Sequence, residues 1–317
     1  MENITGEKEI MAWKKNADGV AAYYYKKVTN KSHIIQKDWF KEHGYKRGED
    51  QYPEAFYEHI EKTLTPGRRA YWALMTDGDG SISLDRRQIR VRIGLTAREP
   101  IQYLADLYGT SISLTKSSGY SGEILKDTYK ISLTGKRDLH FLYLICPYMV
   151  EKRKKATQLI NLTDPNYHPL KIPMNFKKYP GLIEIHKGMV VGFFESEGSV
   201  GIKSRTVKIK TKTKGTRFYS GLTQWIHFTN SNLRPLRKIK KILESSPFTF
   251  KPKIYEDKHR GVKKNGERQK TKYKLYIPNT QHLLFMTLFA PLMLMQDKKD
   301  WFEKFHMKKQ IYDICKK

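Results

Sequence analysis

The chain of 317 residues has only two cysteines, Cys146 and Cys315, and its histidines and cysteines show no zinc-finger spacing. Two cysteines cannot complete a zinc site by themselves, and they suit a reducing compartment, so we expect each to be a small apolar residue. The chain also lacks a Gly-x-x-x-x-Gly-Lys phosphate loop, a nucleophile elbow, a signal peptide and an apolar run of membrane-spanning length. These absences argue against zinc-dependent, nucleotide-hydrolysing, serine-hydrolase and membrane-embedded proteins.

Acidic residues are scarce relative to basic ones. The chain has 32 Asp and Glu against 60 Lys and Arg, which gives a formal net charge of +28. A protein this basic is expected to bind a polyanion, and nucleic acid is the first candidate, with a membrane surface as its rival. The 39% hydrophobic content is enough for one large domain or two modest ones.

One pattern occurs twice. Residues 70–81 read Ala-Tyr-Trp-Ala-Leu-Met-Thr-Asp-Gly-Asp-Gly-Ser, and residues 188–199 read Gly-Met-Val-Val-Gly-Phe-Phe-Glu-Ser-Glu-Gly-Ser. Each is an apolar helical run that ends in two acids, glycine and serine. The second acids, Asp79 and Glu197, lie 118 positions apart, so a unit of domain length is repeated.

The chemistry of this pattern indicates a charged site at two helix ends. Gly80 and Gly198 stand where the helices should stop, and we expect the left-handed conformation of helix C-termini there. The C-terminus of a helix is partially negative, so Asp79 and Glu197 are repelled unless a divalent cation lies between them. The duplication argues against two unrelated helix ends with solvated acids.

A ridge of small residues predicts how the two helices meet. Gly188, Gly192 and Ser196 recur at a spacing of four, and such ridges allow helix backbones to approach closely. Ala70 and Ala73 form a weaker counterpart in the first helix. If the two helices pack side by side, Asp79 and Glu197 become neighbours.

The two stretches resemble the two signature motifs of the LAGLIDADG homing endonucleases, in the single-chain form that carries both. Residues 72–80 match the first motif, with Leu74 where the motif has glycine, and residues 190–198 match the second. The resemblance spans roughly residues 66–317. It implies an α+β fold of two pseudo-symmetric αββαββα halves. Each half has a curved antiparallel four-stranded sheet that forms a DNA-binding saddle, with the motif helices packed at the interface.

The rest of the chain is consistent with this division. Residues 1–65 are an extension of unclear structure, with short helices expected around Lys37–His43 and Pro53–Leu64. The first half covers residues 66–162, a proline-containing linker covers 163–180, and the second half covers 181–317. Because Ile89, Val91 and Ile93 alternate with polar positions, we expect strands with one apolar and one basic face.

The basic strand faces supply candidate DNA contacts, since major-groove base edges carry a distinguishing hydrogen-bond pattern. Arginine and glutamine can read bases, whereas many of the lysines will hold phosphates or remain solvated. The candidates are Arg86, Gln88, Arg90, Arg92 and Lys130 in the first half and Lys203, Arg205, Lys208, Lys210, Trp225, His227, Lys251, Lys253, Lys272 and Lys274 in the second. The halves differ in detail, so the DNA site should be asymmetric.

The resemblance assigns one metal-ligating acid to each motif, namely Asp79 and Glu197. It implies two or three Mg²⁺ ions shared between them, with the carbonyls of Gly78 and Ser196 as further ligands. The acids two residues earlier, Asp77 and Glu195, are expected to support the site without being catalytic.

The family also places a basic residue near each scissile phosphate, after a Pro-aromatic-apolar stretch. Residues 146–153 resemble that stretch and give the role to Lys152. In the second half the aligned position is Gln296, and Lys298 substitutes only if the register shifts by two. A polar side chain that orders water is expected at Asn230, whereas Ala97 cannot serve in the first half. The two strands are therefore expected to be cut unequally.

The leading interpretation is a monomeric, Mg²⁺-dependent endonuclease that cuts a long double-stranded DNA site to leave 3′ overhangs. The alternatives are a maturase that binds intron RNA and a DNA-binding protein on the same fold that does not cut. The sequence predicts an intracellular protein without a membrane partner, and leaves an organelle and a microbial or phage cytoplasm equally open.

Overall fold

The computed structural model describes residues 14–15, 21–22, 43, 52–85, 88–116, 127–169, 181–211, 215–257, 271–302 and 304; for residues 14–15, 21–22, 204–211 and 215–222 it describes the backbone alone. Residues 1–45 and 46–317 form separate compact units. In the smaller unit, β1 (Lys14–Lys15) pairs antiparallel with β2 (Ala21–Ala22). The predicted division into an extension, two halves and a linker stays a prediction. Of the helix expected at 37–43, only residue 43 is described.

The larger unit opens with a short helix and then repeats one order of elements. The first set is α1 (Glu54–Thr63), α2 (Pro66–Asp79), β3 (Gly80–Asp85), β4 (Gln88–Leu95), α3 (Arg98–Tyr108), β5 (Ile112–Thr115), β6 (Thr128–Ser132), α4 (Lys136–Ile145) and α5 (Arg153–Ile160). The second set is α6 (Leu182–Glu197), β7 (Gly198–Thr211), β8 (Gly215–Asn230), α7 (Leu233–Glu244), β9 (Lys253–Asp257), β10 (Lys272–Tyr276), α8 (His282–Phe289) and a last helix, α9, over residues 296–302.

Both halves contain an antiparallel four-stranded sheet with the same strand order. The first sheet is ordered β3-β4-β6-β5 and the second β7-β8-β10-β9. Each sheet begins directly at the end of a motif helix, α2 or α6. The predicted α+β class with two equivalent αββαββα halves is therefore confirmed. No helix in the described part of the chain is long and apolar enough to cross a membrane.

The motif helices begin and end for identifiable reasons. Pro66 occupies the first turn of α2, and the Thr65 hydroxyl accepts a hydrogen bond from the Arg68 amide. At the other end Gly80 is extended, with φ −91°, and Gly198 is likewise extended, with φ −88°. The prediction that Gly80 and Gly198 adopt the left-handed conformation is therefore wrong.

The two glycines are needed for space instead. A Cβ on Gly80 would lie 2.7 Å from the Thr76 carbonyl oxygen, and one on Gly198 would lie 2.7 Å from the Phe194 ring. Each helix can therefore pass straight into the first strand of its sheet only if a glycine stands at the junction.

The apolar side chains of both halves are buried between the sheets and their helices. Trp72 of α2 packs edge-on against Phe141 of α4. Phe194 of α6 contacts both Phe228 and Phe285. Cys146 is buried, as expected for a small apolar residue, whereas Cys315 lies outside the described residues.

One predicted strand begins later than expected. Lys251 was expected to lie on a basic strand face together with Lys253, but β9 starts only at Lys253. Thr249 has a positive φ of 53°, and the Lys251 amide donates to the Gln281 side chain at 2.8 Å. Lys251 therefore lies in the segment that precedes β9, and not on the face of the sheet.

Candidate active site and nucleic-acid interface

The two motif helices pack with their backbones in close contact. A Cβ on Gly192 would lie 2.8 Å from the carbonyl carbon of Tyr71, and one on Gly188 would lie 2.8 Å from that of Gly67. Ordinary carbon contacts are about 3.5–4.0 Å. The predicted ridge of small residues on α6 is therefore what admits the α2 backbone.

The counterpart on α2 differs from the expectation. The small residues of α2 that lie in the contact are Gly67 and Gly78, and a Cβ on Gly78 would lie 2.5 Å from the Ser196 hydroxyl oxygen. Ala70 and Ala73 are buried, as is Leu74, the residue that departs from the motif. The two helices thus meet along their whole length, including the ends that carry the acids.

This packing brings Asp79 and Glu197 close enough to interact. Burial raises the pKa of Glu197 to about 7, and the neighbouring Asp79 carboxylate adds to the effect. Asp79 is more exposed, yet partial desolvation still raises its pKa to about 6 against the opposing charges of Lys298 and Lys152. The pair resists full ionisation in the absence of a cation, which is what the sequence predicted for acids at helix C-termini.

Asp77, the first acid of the first motif, faces inward and fastens a loop. Its carboxylate accepts hydrogen bonds from the amides of Val150 (2.6 Å), Glu151 (3.1 Å) and Lys152 (2.8 Å). Burial raises its pKa, and these hydrogen bonds oppose the shift. Asp77 therefore holds the segment that carries Lys152 against α2.

Glu195 does the same in the second half with different partners. One of its carboxylate oxygens accepts from the Met295 amide at 2.6 Å, and the other accepts from the hydroxyl of Tyr71 on α2. Burial raises the pKa of Glu195 to about 7. The placement of both inner acids agrees with a supporting role.

The Lys152 side chain caps the end of α2. Its ammonium donates to the carbonyls of Thr76 (2.8 Å), Asp77 (2.5 Å) and Gly80 (2.8 Å). A cation at this position compensates the partial negative charge of the helix C-terminus. Burial lowers the pKa of the ammonium, and the surrounding carboxylates oppose the shift.

Lys298 makes the equivalent contacts at the end of α6. Its ammonium donates to the carbonyls of Phe194 (2.6 Å), Glu195 (2.8 Å) and Gly198 (2.9 Å). Each of these residues lies 118 positions after its counterpart in the first half. Burial lowers the pKa of Lys298 to about 8. Lys298 is thus the structural equivalent of Lys152.

The alignment of Gln296 with Lys152 is therefore wrong. Gln296 is exposed, and its amide donates to Asp300 at 2.7 Å. The segment from Pro291 to Lys298 is two residues longer than the segment from Pro147 to Lys152. The register shift of two is needed because only the side chain at 298 reaches the helix end.

Asn230 lies at the end of β8 and contacts the candidate metal ligand of its half. Its side-chain amide donates to Glu197 at 3.3 Å, and its oxygen accepts from the Asn232 amide at 2.7 Å. The first half has Ala97 at the start of α3, which offers no polar group. The two halves thus surround their acids differently.

The donor set at the helix ends fits a hard cation. Within the described ranges no cluster of three or more His, Cys, Asp or Glu side chains forms, so Asp79 and Glu197 supply the carboxylates alone. Gly78 and Ser196 precede them and are in close contact with each other across the two helices. Mg²⁺ prefers oxygen ligands, which include carboxylate and carbonyl oxygens and the oxygens of a phosphate group. The repelling acids therefore fit Mg²⁺ better than a softer metal.

The outer face of the first sheet carries the expected polar side chains. Gln88, Arg90 and Arg92 of β4 alternate with buried apolar residues, and Arg90 forms an ion pair with Asp85 at 3.1 Å. Lys130 of β6 lies opposite Gly94. The remaining candidate, Arg86, lies outside the described residues.

A buried acid that the sequence did not single out supports this strand. Asp138, at the start of α4, accepts a hydrogen bond from the Val91 amide at 2.7 Å, between Arg90 and Arg92. Burial raises the pKa of Asp138 to about 8. The only sequence signal for this residue is an acid in the first turn of a helix.

The second sheet brings most of its candidates to one face. Trp225 and His227 of β8 lie opposite Gly201 and Ser199 of β7, and Lys203 is two positions further along the same face of β7. Lys272 and Lys274 of β10 and Lys253 of β9 continue the same face.

Three further candidates lie in the part of β7 whose backbone alone is described. Arg205, Lys208 and Lys210 pair with Gly221, Phe218 and Thr216 in an uninterrupted register. An unbroken strand alternates between its two faces. Positions 208 and 210 therefore fall on the alternation opposite to 203 and 205, and the contact of each with DNA stays a prediction.

Comparison with known proteins gives similarity at the level of structure. No protein-family model and no curated protein matches the chain. It is similar to meganuclease I-SmaMI bound to uncleaveable DNA, with 12% identity over 77% of this chain and 92% of that one and a TM-score of 0.44. It is also similar to the LAGLIDADG meganuclease I-AabMI bound to uncleaved DNA (13% identity, 77% and 91% coverage, TM-score 0.44). A third is the homing endonuclease I-WcaI bound to its DNA recognition sequence (15% identity, 76% and 91% coverage, TM-score 0.39).

Proposed function

We propose that the protein is a site-specific double-stranded DNA endonuclease of the LAGLIDADG type. The observation that carries the proposal is the pair of acids, Asp79 and Glu197, at the ends of two close-packed helices from which two basic-faced sheets extend. Both motifs are in one chain, so a monomer contains a complete site. The sheets are proposed to hold the duplex, and the acids to lie at its scissile phosphates.

In this proposal each residue at the helix ends has a defined task. Asp79 and Glu197 hold two or three Mg²⁺ ions, with the carbonyls of Gly78 and Ser196 as further ligands. Bound Mg²⁺ supplies charge neutralisation of the scissile phosphate and a lowered pKa of the attacking water. Asn230 orients Glu197 and orders water in the second half alone.

Lys152 and Lys298 are proposed to act beside the acids. Each holds the last carbonyls of a motif helix, so each fixes the position of the acid that follows. Their positive charge also lowers the electrostatic cost of bringing a phosphodiester to the site. Because Asn230 has no counterpart in the first half, we propose that the two strands are cut at unequal rates. We also propose, from the resemblance to the family, that the break leaves 3′ overhangs.

The basic outer faces are proposed to bind the duplex in two ways. Arginine and glutamine side chains, such as Arg92 and Gln88, contact base edges, whereas lysines such as Lys203 and Lys253 neutralise phosphates. Affinity should fall steeply with salt, because each neutralised phosphate releases condensed counterions.

The test is cleavage of a pooled duplex library built around candidate intron insertion sites, with Mg²⁺ or with EDTA. The Asp79→Asn, Glu197→Gln double variant is compared with Glu58→Gln, which alters an exposed acid on α1. We expect Mg²⁺-dependent double-strand cuts at one long site. These cuts should disappear in the double variant, which still binds, and remain in the control.

Other outcomes would contradict the proposal in distinct ways. Cutting by the double variant would show that Asp79 and Glu197 are not needed for cleavage. Salt-sensitive binding of one duplex site without any cutting would identify a DNA-binding protein that does not cleave. Preferred binding of intron RNA, with splicing that survives both substitutions, would identify a maturase.

A further inference from the structure

The outer faces of the two sheets differ in chemistry. In the first sheet Arg92 lies between Ser81 and Ser132, and Arg90 lies opposite Ser83. No aromatic side chain occupies an outer position in the described strands of this sheet. Its face therefore offers hydrogen-bond donors and acceptors.

The second sheet has aromatic side chains at the corresponding places. His227 of β8 lies opposite Tyr276 of β10, with ring centroids 5.0 Å apart. Tyr276 in turn meets Tyr255 of β9 edge-on, with centroids 5.6 Å apart. Together with Trp225, two residues before His227, these rings cross three strands. We call Trp225, His227, Tyr255 and Tyr276 the aromatic strip.

Trp225 is held flat against the sheet by the absence of a side chain on β7. Its cross-strand partner is Gly201, and a Cβ there would lie 2.6 Å from an indole ring carbon. The indole N–H donates to the Ser199 hydroxyl at 3.4 Å. The indole is therefore fixed in place before any ligand arrives, and it remains half-exposed.

The rings of the strip carry no charge of their own, and phosphate contacts are left to lysines beside them, such as Lys253, which lies opposite Tyr276. Burial lowers the pKa of His227 to about 4, with Lys274 adding to the effect, so its ring is neutral at neutral pH. The ammonium of Lys274 forms an ion pair with Asp257 at 2.7 Å. Neutral rings on a sheet face suit apolar contacts with base edges better than contacts with the backbone.

We infer that the aromatic strip contacts the C5 methyl groups of thymine in the major groove, so that the half-site under the second sheet is thymine-rich. The thymine methyl is the apolar group that base pairs present there, whereas arginine pairs with guanine. The half-site under the first sheet is accordingly recognised by hydrogen bonds from Arg90 and Arg92. The inference rests on the proposed function only in requiring that the chain binds duplex DNA.

Replacing thymine by deoxyuracil removes the methyl group and nothing else. The site is first selected from a random duplex library with the non-cleaving Asp79→Asn, Glu197→Gln protein. Affinity is then measured with deoxyuracil in either half-site. We expect about fourfold weaker binding for each contacted methyl in one half-site, from the value of one buried methyl group. The other half-site should show no loss.

Two variants assign the half-sites to the sheets. In Trp225→Ala we expect the methyl dependence to shrink, because the indole contact is gone. Arg92→Ala is the matched control, and it should lower the affinity for guanines in the opposite half-site while the methyl dependence stays. The deoxyuracil comparison needs no variant of the strip, so a folding defect in Trp225→Ala leaves it intact.

Three results would overturn the inference. The first is equal affinity for thymine and deoxyuracil in both half-sites, and the second is a methyl dependence that Arg92→Ala abolishes and Trp225→Ala leaves. The third is binding of the single strand as tightly as the duplex, which would assign the rings to stacking on unpaired bases. By contrast, a library from which no duplex is enriched would remove duplex binding itself and with it the proposed function.

Discussion

Gly192→Ala tests whether close packing of the motif helices is what holds the candidate site together. The added Cβ would lie 2.8 Å from the carbonyl carbon and 2.9 Å from the Cα of Tyr71. These are backbone atoms, so no side-chain rotation relieves the contact. Restoring an ordinary carbon–carbon separation of about 3.5 Å requires the helices to part by at least about 0.7 Å, and the Tyr71 carbonyl oxygen lies closer still to the added Cβ.

The cost follows from two opposing effects. Alanine is favoured over glycine in a helix by up to about 1 kcal/mol, whereas overpacking a buried contact costs about 1–3 kcal/mol, here at the upper end. We expect the free energy of unfolding to fall by about 2 kcal/mol, which lowers Tm by roughly 3 °C for a chain of this size. Parting the helices also separates Asp79 from Glu197, and misplacement by about 1 Å costs on the order of 100-fold in rate.

Gly181→Ala is the matched control. Gly181 precedes α6 with φ −62°, and a Cβ there would meet nothing within 4 Å. Urea unfolding and single-turnover cleavage are measured for both variants. If Gly192→Ala unfolds and cuts like Gly181→Ala, the close helix contact is not what sets the geometry of the acids.

Three further expectations follow from single contacts. Lys298→Met should destabilise the chain by about 2–3 kcal/mol in urea unfolding, because three carbonyls lose a charge-assisted partner, whereas Gln296→Met should change stability by less than about 0.5 kcal/mol; equal effects would contradict the assignment. For Asp138, the folded pKa of about 8 exceeds the unfolded value of about 3.9. Between these two pH values the folded state holds a proton that the unfolded state has lost, so the free energy of unfolding falls as pH rises. The free energy of unfolding of Asp138→Asn, relative to that of the parent protein, should therefore rise by up to ~1.4 kcal/mol per pH unit in that window. A difference that does not depend on pH would refute the raised pKa of Asp138. Asn230→Ala should slow cutting of one strand, seen as accumulation of nicked plasmid, and equal slowing of both strands would contradict a role confined to one half.

Residues in the repeated motif could be predicted from the sequence, whereas residues placed by loops of different length could not. The repeat fixed Asp79 and Glu197 as a pair, because a duplicated helix-acid-glycine pattern has a definite chemical meaning. The positions of Lys152 and Lys298 depend on loops of different length, and counting from the proline selected Gln296. The carbonyls that each ammonium meets become visible only when the helix end and the loop are seen together.

Strand faces were predictable where alternation was unbroken. Arg90 and Arg92 alternate with buried residues as their sequence indicates. Lys208 was grouped with Lys203 although they differ by an odd number of positions. The register of β7 with β8 places the two on opposite alternations, since it continues without a bulge.

By itself, the sequence determined the two halves, the helices that join them, the ridge of small residues and the pair of acids. All of these depend on local periodicity or on a repeat, which are properties of residues near one another in the chain. Only the tertiary structure decided that Gly80 and Gly198 are extended, that Lys298 caps α6 and that Asp138 braces β4. It also brought Trp225, His227, Tyr255 and Tyr276 together. These features depend on which atoms meet across elements far apart in sequence, and local patterns do not encode those distances.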